Sequence, residues 1–118
     1  MANLDIDLEN TRAQMRKGIL EYCIMLTLAR GESYTSDILR ELKEDDLLVV
    51  EGTLYPLLSR LKSEDLLEYS WKESNAGPPR KYYKLTAKGE KALEALNLSW
   101  QELSSSINSL RKKYEKNN

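Results

Sequence analysis

A chain of 118 residues, 41% of them apolar, is long enough for one compact core and too short for two ordinary domains. It carries no His and one Cys, which removes the commonest general base and metal ligand together and leaves no means of building a structural zinc site. The formal charge of −1 looks unfavourable for a nucleic-acid partner until it is divided: residues 1–50 hold 6 Lys/Arg against 10 Asp/Glu, residues 51–92 hold 8 against 6, and residues 93–118 hold 4 against 3.

From Leu8 to Ala29 the apolar residues at 15, 19, 22, 26 and 29 follow helical spacing, with Gly18 the one interruption, and predict a single long helix. Its second half, ILEYCIMLTLA, is apolar nearly all round, so it needs cover on more than one side, from its own domain and from a partner chain. Cys23 lies in that half and reads as a buried thiol acting as a small hydrophobe. Gly31 closes the helix. Thr35 or Ser36 supplies an N-cap with Asp37 in the first turn, and Ile38, Leu39 and Leu42 give the stripe of a short second helix over 36–44. The acidic Glu44–Asp46 and the apolar Leu47–Val50 connect to a third segment, where Leu54, Leu57, Leu58 and Leu61 recur at helical spacing over 53–65. Pro56 is awkward there, since an interior proline loses a hydrogen bond and clashes with the preceding turn. Either the helix starts near Thr53 and holds Pro56 in its first turn, or that turn is distorted.

After Leu66 the period becomes two. Leu67, Tyr69 and Trp71 alternate with polar neighbours, and Lys81–Thr86 places Tyr83 and Leu85 on one face. With SNAGPP between the runs, a β-hairpin with a loose tip follows. Thr86 then offers an N-cap for a helix reaching about residue 116. Along it Leu93, Leu96, Trp100, Leu103, Ile107, Leu110 and Tyr114 are separated alternately by three and four residues. A heptad stripe so narrow suits helix-on-helix pairing between two copies of the chain better than packing on one domain. The expected organisation is a domain over 1–88 and a dimerisation helix over 89–118, in a mainly α fold with a small β-hairpin (α+β).

Three helices followed by a two-stranded wing describe the winged helix-turn-helix, whose second helix of the pair enters the major groove of double-stranded DNA. With its leucines directed inward, the helix over 53–65 leaves Gly52, Thr53, Tyr55, Pro56, Ser59, Arg60 and Lys62 as candidate DNA contacts. Tyr55 is either a phosphate ligand or half-buried packing. Tyr34, Thr35 and Ser36 add hydroxyls and free N–H groups at a helix start, where anions bind. Arg80 and Lys81 project from the wing, and over 72–91 the six cations Lys72, Arg80, Lys81, Lys84, Lys88 and Lys91 face only Glu73 and Glu90. A basic patch at the interface is what phosphate contact requires, and the whole need not be basic.

No apolar run approaches the roughly 20 residues that span a bilayer, and the start MANLDIDLENTR lacks the regions of a signal peptide. A soluble, cytoplasmic protein is expected. Carboxylate pairs such as Asp45–Asp46 and Glu64–Asp65 are adjacent and do not face each other on a helix. There is no phosphate-binding glycine motif, so neither an enzyme nor a cofactor is expected.

The strings GILEYCIMLTLARGESYTSDI, GTLYPLLSRLKSEDLLEY and GPPRKYYKLTAKG closely resemble the PadR-like transcriptional regulators, over about residues 12–118. The resemblance implies a homodimeric winged-helix repressor that binds an inverted-repeat operator. A C-terminal region of one helix resembles the branch that includes multidrug-sensing repressors. In that branch a Trp on the last helix lines a cavity at the dimer interface and stacks on flat aromatic ligands. Trp100, in LSWQEL, is the matching residue, with Leu96 and Met15 as its neighbours in the implied site. The LLVVEG and KSEDLL segments depart from the family pattern, the second having no Gly where many relatives place one, so no operator sequence carries over. Apart from the resemblance, an indole in a two-helix seam either parts the helices and leaves a gap or serves as plain interface packing. A protein-interaction adaptor that keeps the winged-helix shape without specific DNA binding is the alternative function.

Overall fold

The computed structural model of the protein describes residues 8–116. The order is α1 (Leu8–Lys17), α2 (Leu20–Leu28), β1 (Ser33–Tyr34), α3 (Thr35–Glu44), α4 (Glu51–Ser63), β2 (Leu67–Ser74), β3 (Gly77–Leu85) and α5 (Ala87–Lys116). The expected α+β class holds, with a three-stranded antiparallel sheet in the order β1-β3-β2.

The N-terminal helix is two helices. The ladder breaks at Gly18–Ile19, where the Ile19 N–H turns back to the Arg16 carbonyl at 3.0 Å. Glycine costs the most backbone entropy in a helix and brings no side chain to pack. α1 buries none of its residues, whereas α2 buries Leu20, Ile24, Met25 and Leu28. Cys23 is half-buried against the core, and that burial pushes its thiol pKa up, in keeping with a packing role.

α2 contributes Ile24, Met25 and Leu28 to one core, which Ile38 and Leu42 of α3 and Leu54, Leu58 and Leu61 of α4 join at helical spacing. Leu67 and Tyr83 close it from the wing and Leu93 from α5. The N-cap of α3 is Tyr34 in extended conformation, one residue ahead of the expected Thr35 or Ser36. Asp37 reaches back to accept the Tyr34 N–H at 3.3 Å. Thr35 is buried because β1, which has only two residues and no alternation to reveal it, pairs Ser33 with Tyr83 and Tyr34 with Tyr82.

Two helix ends share one geometry. Leu47 N–H bonds to Leu42 C=O at 2.8 Å and Leu66 N–H to Leu61 C=O at 3.0 Å, with Asp46 and Asp65 in the left-handed region at φ 63° and 62°. These are Schellman ends in which aspartate, whose short side chain tolerates that region, stands where glycine is usual. The acidic stretch at 44–46 is thus a helix cap. α4 begins at Glu51, two residues before Thr53, so Pro56 lies in its second turn. The missing proline N–H leaves the Gly52 carbonyl without its helical donor, on the exposed side. The hairpin is longer and tighter at its tip than expected. β2 and β3 pair from Leu67↔Leu85 to Ser74↔Gly77, with Pro78 and Pro79 inside β3, on a stretch beyond the reach of β1 where its second edge is open.

Thr86 caps α5 as expected, its Oγ1 accepting the Gly89 N–H at 2.9 Å and donating to the Asp65 carbonyl at 2.6 Å. Thr86 N–H also bonds to the Leu66 carbonyl at 3.1 Å. The first turn of α5 therefore lies directly on the end of α4. At Gly89 a Cβ would come within 2.1 Å of the Leu66 carbonyl oxygen, which no rotamer change can relieve. Gly89→Ala is expected to destabilise the fold by about 1–3 kcal/mol, read as a lower urea midpoint, with Glu90→Ala as the exposed control. Equal midpoints would show that α5 yields without cost.

Candidate nucleic-acid interface

α4 divides the residues that the sequence placed together. Gly52, Tyr55, Ser59 and Lys62 recur at intervals of three and four, so they form one exposed stripe beside the wing. Thr53 and Pro56 lie on the other flank, in a cleft shared with Leu20, Leu47 and Val50. Arg60 is on that flank too. Its guanidinium forks onto Glu21 of α2, Nε and Nη2 donating to the two carboxylate oxygens at 2.5 and 2.7 Å. This hydrogen bonding, with the Glu21 charge, raises the Arg60 pKa. This pairing ties α4 to α2 and sets Arg60 on the flank opposite Lys62.

A cavity of about 420 Å³ separates the wing from the starts of α3 and α4, with Tyr34, Thr35, Tyr55, Trp71, Arg80 and Lys81 among its walls. Candidates from three elements thus share one concave face. Tyr55 stands half-exposed, its hydroxyl 3.5 Å from Thr35 Oγ1, so it both packs and presents a polar tip. Ser36 is exposed on the first turn of α3.

The charges of the wing are sorted by their partners. Lys72 pairs with Glu32 and Lys84 with Glu68, while Lys88 donates to the Glu64 carbonyl at 3.0 Å. The excess read over 72–91 is therefore smaller than the sequence suggested, because Glu32 and Glu68 come from outside that window. Among the described residues Lys62, Arg80 and Lys81 have no carboxylate partner. Each lies over an aromatic ring instead: Arg80 is 4.7 Å from the Tyr34 centroid, Lys62 5.3 Å from Tyr69, and Lys81 4.2 Å from Tyr69 and 5.2 Å from Trp71. Such contacts hold a cation in place without neutralising it. Tyr69 was not among the sequence candidates. Its period-two position marked it as one face of a strand, and only the meeting of α4 with the wing shows what that face holds.

α5 leaves the domain partway along its length. Leu93 is 7% exposed and belongs to the core of its own chain, whereas Trp100 is 41%, Leu103 53%, Leu110 64% and Tyr114 70% exposed. Leu96 and Ile107 are also exposed. The first member of the expected seam thus belongs to the domain, and the others are exposed. Trp100 stands at the point of departure, 6.5 Å from the Tyr22 ring, and the Tyr22 hydroxyl donates to Asn97 Oδ1 at 2.6 Å. Tyr22 and Asn97 were missed; their signal was the spacing of Tyr22 on α2 and the i−3 position of Asn97. Met15 sits exposed on α1.

The model of the transcriptional regulator PadR-like family matches residues 24–95. Among solved structures, the chain is similar to a PadR-like transcription factor from Bacteroides fragilis, with 61% identity, a TM-score of 0.73, and coverage of 86% of this chain and 98% of that one. A PadR-like transcriptional regulator from Bacillus cereus shares 41% identity at a TM-score of 0.73, over 82% of this chain and 95% of its own. A PadR family regulator from Eggerthella lenta shares 28% identity at a TM-score of 0.79, over 87% and 90%.

The division of α4 has a measurable consequence. Lys62→Ala is expected to lower affinity for duplex DNA by roughly 3–10-fold, as for a lost phosphate contact, and Arg60→Ala by less. A larger loss for Arg60→Ala would mean that its guanidinium leaves Glu21 for DNA.

Proposed function

Because the chain belongs to the PadR-like family of transcriptional regulators, and so is a DNA-binding regulator, we propose that it acts as a homodimeric repressor. Its two winged domains read an inverted-repeat operator, and a small planar aromatic ligand at the dimer interface releases it. The observation that carries the DNA reading is the concave face on which Tyr55, from the exposed Gly52–Tyr55–Ser59–Lys62 stripe, meets Arg80 and Lys81, cations without carboxylate partners among the described residues. The stripe enters the major groove, the hydroxyls of Tyr34 and Ser36 meet the backbone beside it with Thr35 buried behind them, and the wing follows the phosphates. No described helix is long and apolar enough to cross a membrane, and the place of action proposed is the cytoplasm, where a regulator of this family meets its DNA. The domain over 1–88 and the helix over 89–118 divide these tasks, although Gly89 and Leu93 are packed into the domain.

Self-association is supported by the exposed stripe Leu103, Ile107, Leu110 and Tyr114, continuous with Trp100 and Leu96, on a helix of 30 residues. At 1.5 Å per residue this helix is roughly 45 Å long, and Leu103, Ile107 and Leu110 in its distal half are exposed. Two such helices pairing along the stripe bury it and fix the distance between two recognition helices. Ile107→Asp is expected to convert a dimer to a monomer in sedimentation and to lower affinity for the chain's own upstream inverted repeat by about 100-fold or more. Affinity for a single half-site should be little altered. A wild-type protein that binds the repeat no better than scrambled duplex, without steep salt dependence, would refute the DNA reading.

Regulation enters at Trp100, which with Tyr22 forms a half-exposed aromatic pair where α5 leaves α2, and the exposed Leu96 and Met15 complete the proposed ligand site in the dimer. A ligand there shifts affinity for DNA only if it binds the two dimer spacings unequally. In a Trp71→Phe background, planar aromatic cations are expected to quench Trp100 emission and to weaken operator binding in parallel. Quenching without any change in operator affinity would mark Trp100 as interface packing that happens to bind dyes.

A further inference from the structure

Tyr69 stands 36% exposed on the face of β2 that looks toward α4. Two ammonium groups from different elements come to its one ring. Lys62 rises from the last turns of α4 and Lys81 from β3, diagonally across the strand pair where Tyr69 faces Tyr83 and Trp71 faces Lys81. With both within about 5 Å of the same centroid, the two like charges are separated by no more than about a Debye length. Neither has a carboxylate partner among the described residues. The nearest other support is aromatic as well, since Trp71 meets Tyr69 edge-on at 6.3 Å and lies under Lys81 at 5.2 Å.

A ring attracts a cation through its quadrupole and leaves the charge available to an anion. A carboxylate in the same place would orient the lysines equally well and cancel them. The arrangement therefore gathers two full positive charges at the junction of recognition helix and wing, at the cost of mutual repulsion that an anion between them relieves. We propose that Lys62 and Lys81, gathered on the Tyr69 ring, form a phosphodiester clip that grips one stretch of DNA backbone across the helix–wing junction, with Tyr69 as its positioning residue. The inference rests on the DNA-binding reading and adds to it a residue and a cooperative unit. Lysine suits this clip because its ammonium acts as a compact point charge, and a single ring can seat two of them. The clip carries no base recognition, so it should act alike on every duplex sequence.

The test compares Tyr69→Leu with Tyr69→Phe, alone and combined with Lys62→Ala and Lys81→Ala, in anisotropy titrations against operator and scrambled duplex at several salt concentrations. Tyr69→Phe keeps the ring and should bind as wild type. Tyr69→Leu should lose roughly 3–10-fold on both duplexes and lower the salt slope by about 1–2. In the Tyr69→Leu background each lysine substitution should cost less than in wild type, because the unit is already broken. Thermal melts of both variants separate this from a loosened wing. A Tyr69→Leu protein that melts as wild type and keeps its affinity and slope overturns the clip while the DNA reading stands, as do fully additive lysine effects. A wild type without salt-dependent DNA binding overturns both.

Discussion

The structure turns on the close approach between residues 64–66 at the end of α4 and residues 86–89 at the start of α5. Thr86 bonds to the Leu66 carbonyl through its N–H and to the Asp65 carbonyl through its hydroxyl, Lys88 reaches the Glu64 carbonyl, and Gly89 leaves room for the Leu66 carbonyl where any side chain would collide. The left-handed Asp65 between them turns the chain from α4 into β2. Recognition helix, wing and terminal helix are therefore joined at one point, with carbonyls at a helix C-terminus satisfied by the next element. The consequence for function is mechanical. α5 cannot swing freely against α4, so in the proposed dimer a change in how two α5 helices pair is transmitted as a change in the separation of two recognition helices. Arg60 reinforces this frame by tying α4 to Glu21 of α2, and α2 in turn meets α5 through Tyr22 and Asn97.

Electrostatics on the wing works by selection. The protein is close to neutral overall, and much of its positive charge is answered by a carboxylate or a carbonyl. What distinguishes Lys62, Arg80 and Lys81 is that they are held by the aromatic rings of Tyr34, Tyr69 and Trp71 with no carboxylate partner among the described residues. An aromatic contact is comparable in strength with an exposed ion pair, yet it leaves the charge for a partner. Counting charges along the sequence therefore points to the right region, while the useful charges are identified only by what stands next to each one.

The same contrast applies to apolar surface. Leu93 and the residues beyond it read as one uniform seam, but the first lies in the core of its own chain and the rest are exposed. A helix that serves its own domain with one end and offers an uncovered stripe with the other is well placed to couple domain and assembly. Trp100 lies at the changeover, where a small shift of α5 would alter its surroundings most.

The sequence by itself determined the order of the helices, the wing, the N-cap at Thr86 and the narrow stripe on α5, because each depends on local spacing of apolar residues or on one capping side chain. It also held the strings that resemble the PadR-like regulators, which the family match over 24–95 bears out. Tertiary structure alone decided the break at Gly18, the two-residue strand β1, and the start of α4 at Glu51 with Pro56 in its second turn, since these are settled by packing and by long-range pairing. It likewise decided the destinations of long side chains. Arg60 and Lys62 are two residues apart and look alike in sequence, yet one is drawn to Glu21, 39 residues away, and the other to the ring of Tyr69. Local spacing fixes which face of a helix a residue occupies, but what stands opposite that face comes from elsewhere in the chain, and it determines whether a charge is answered or left for a partner.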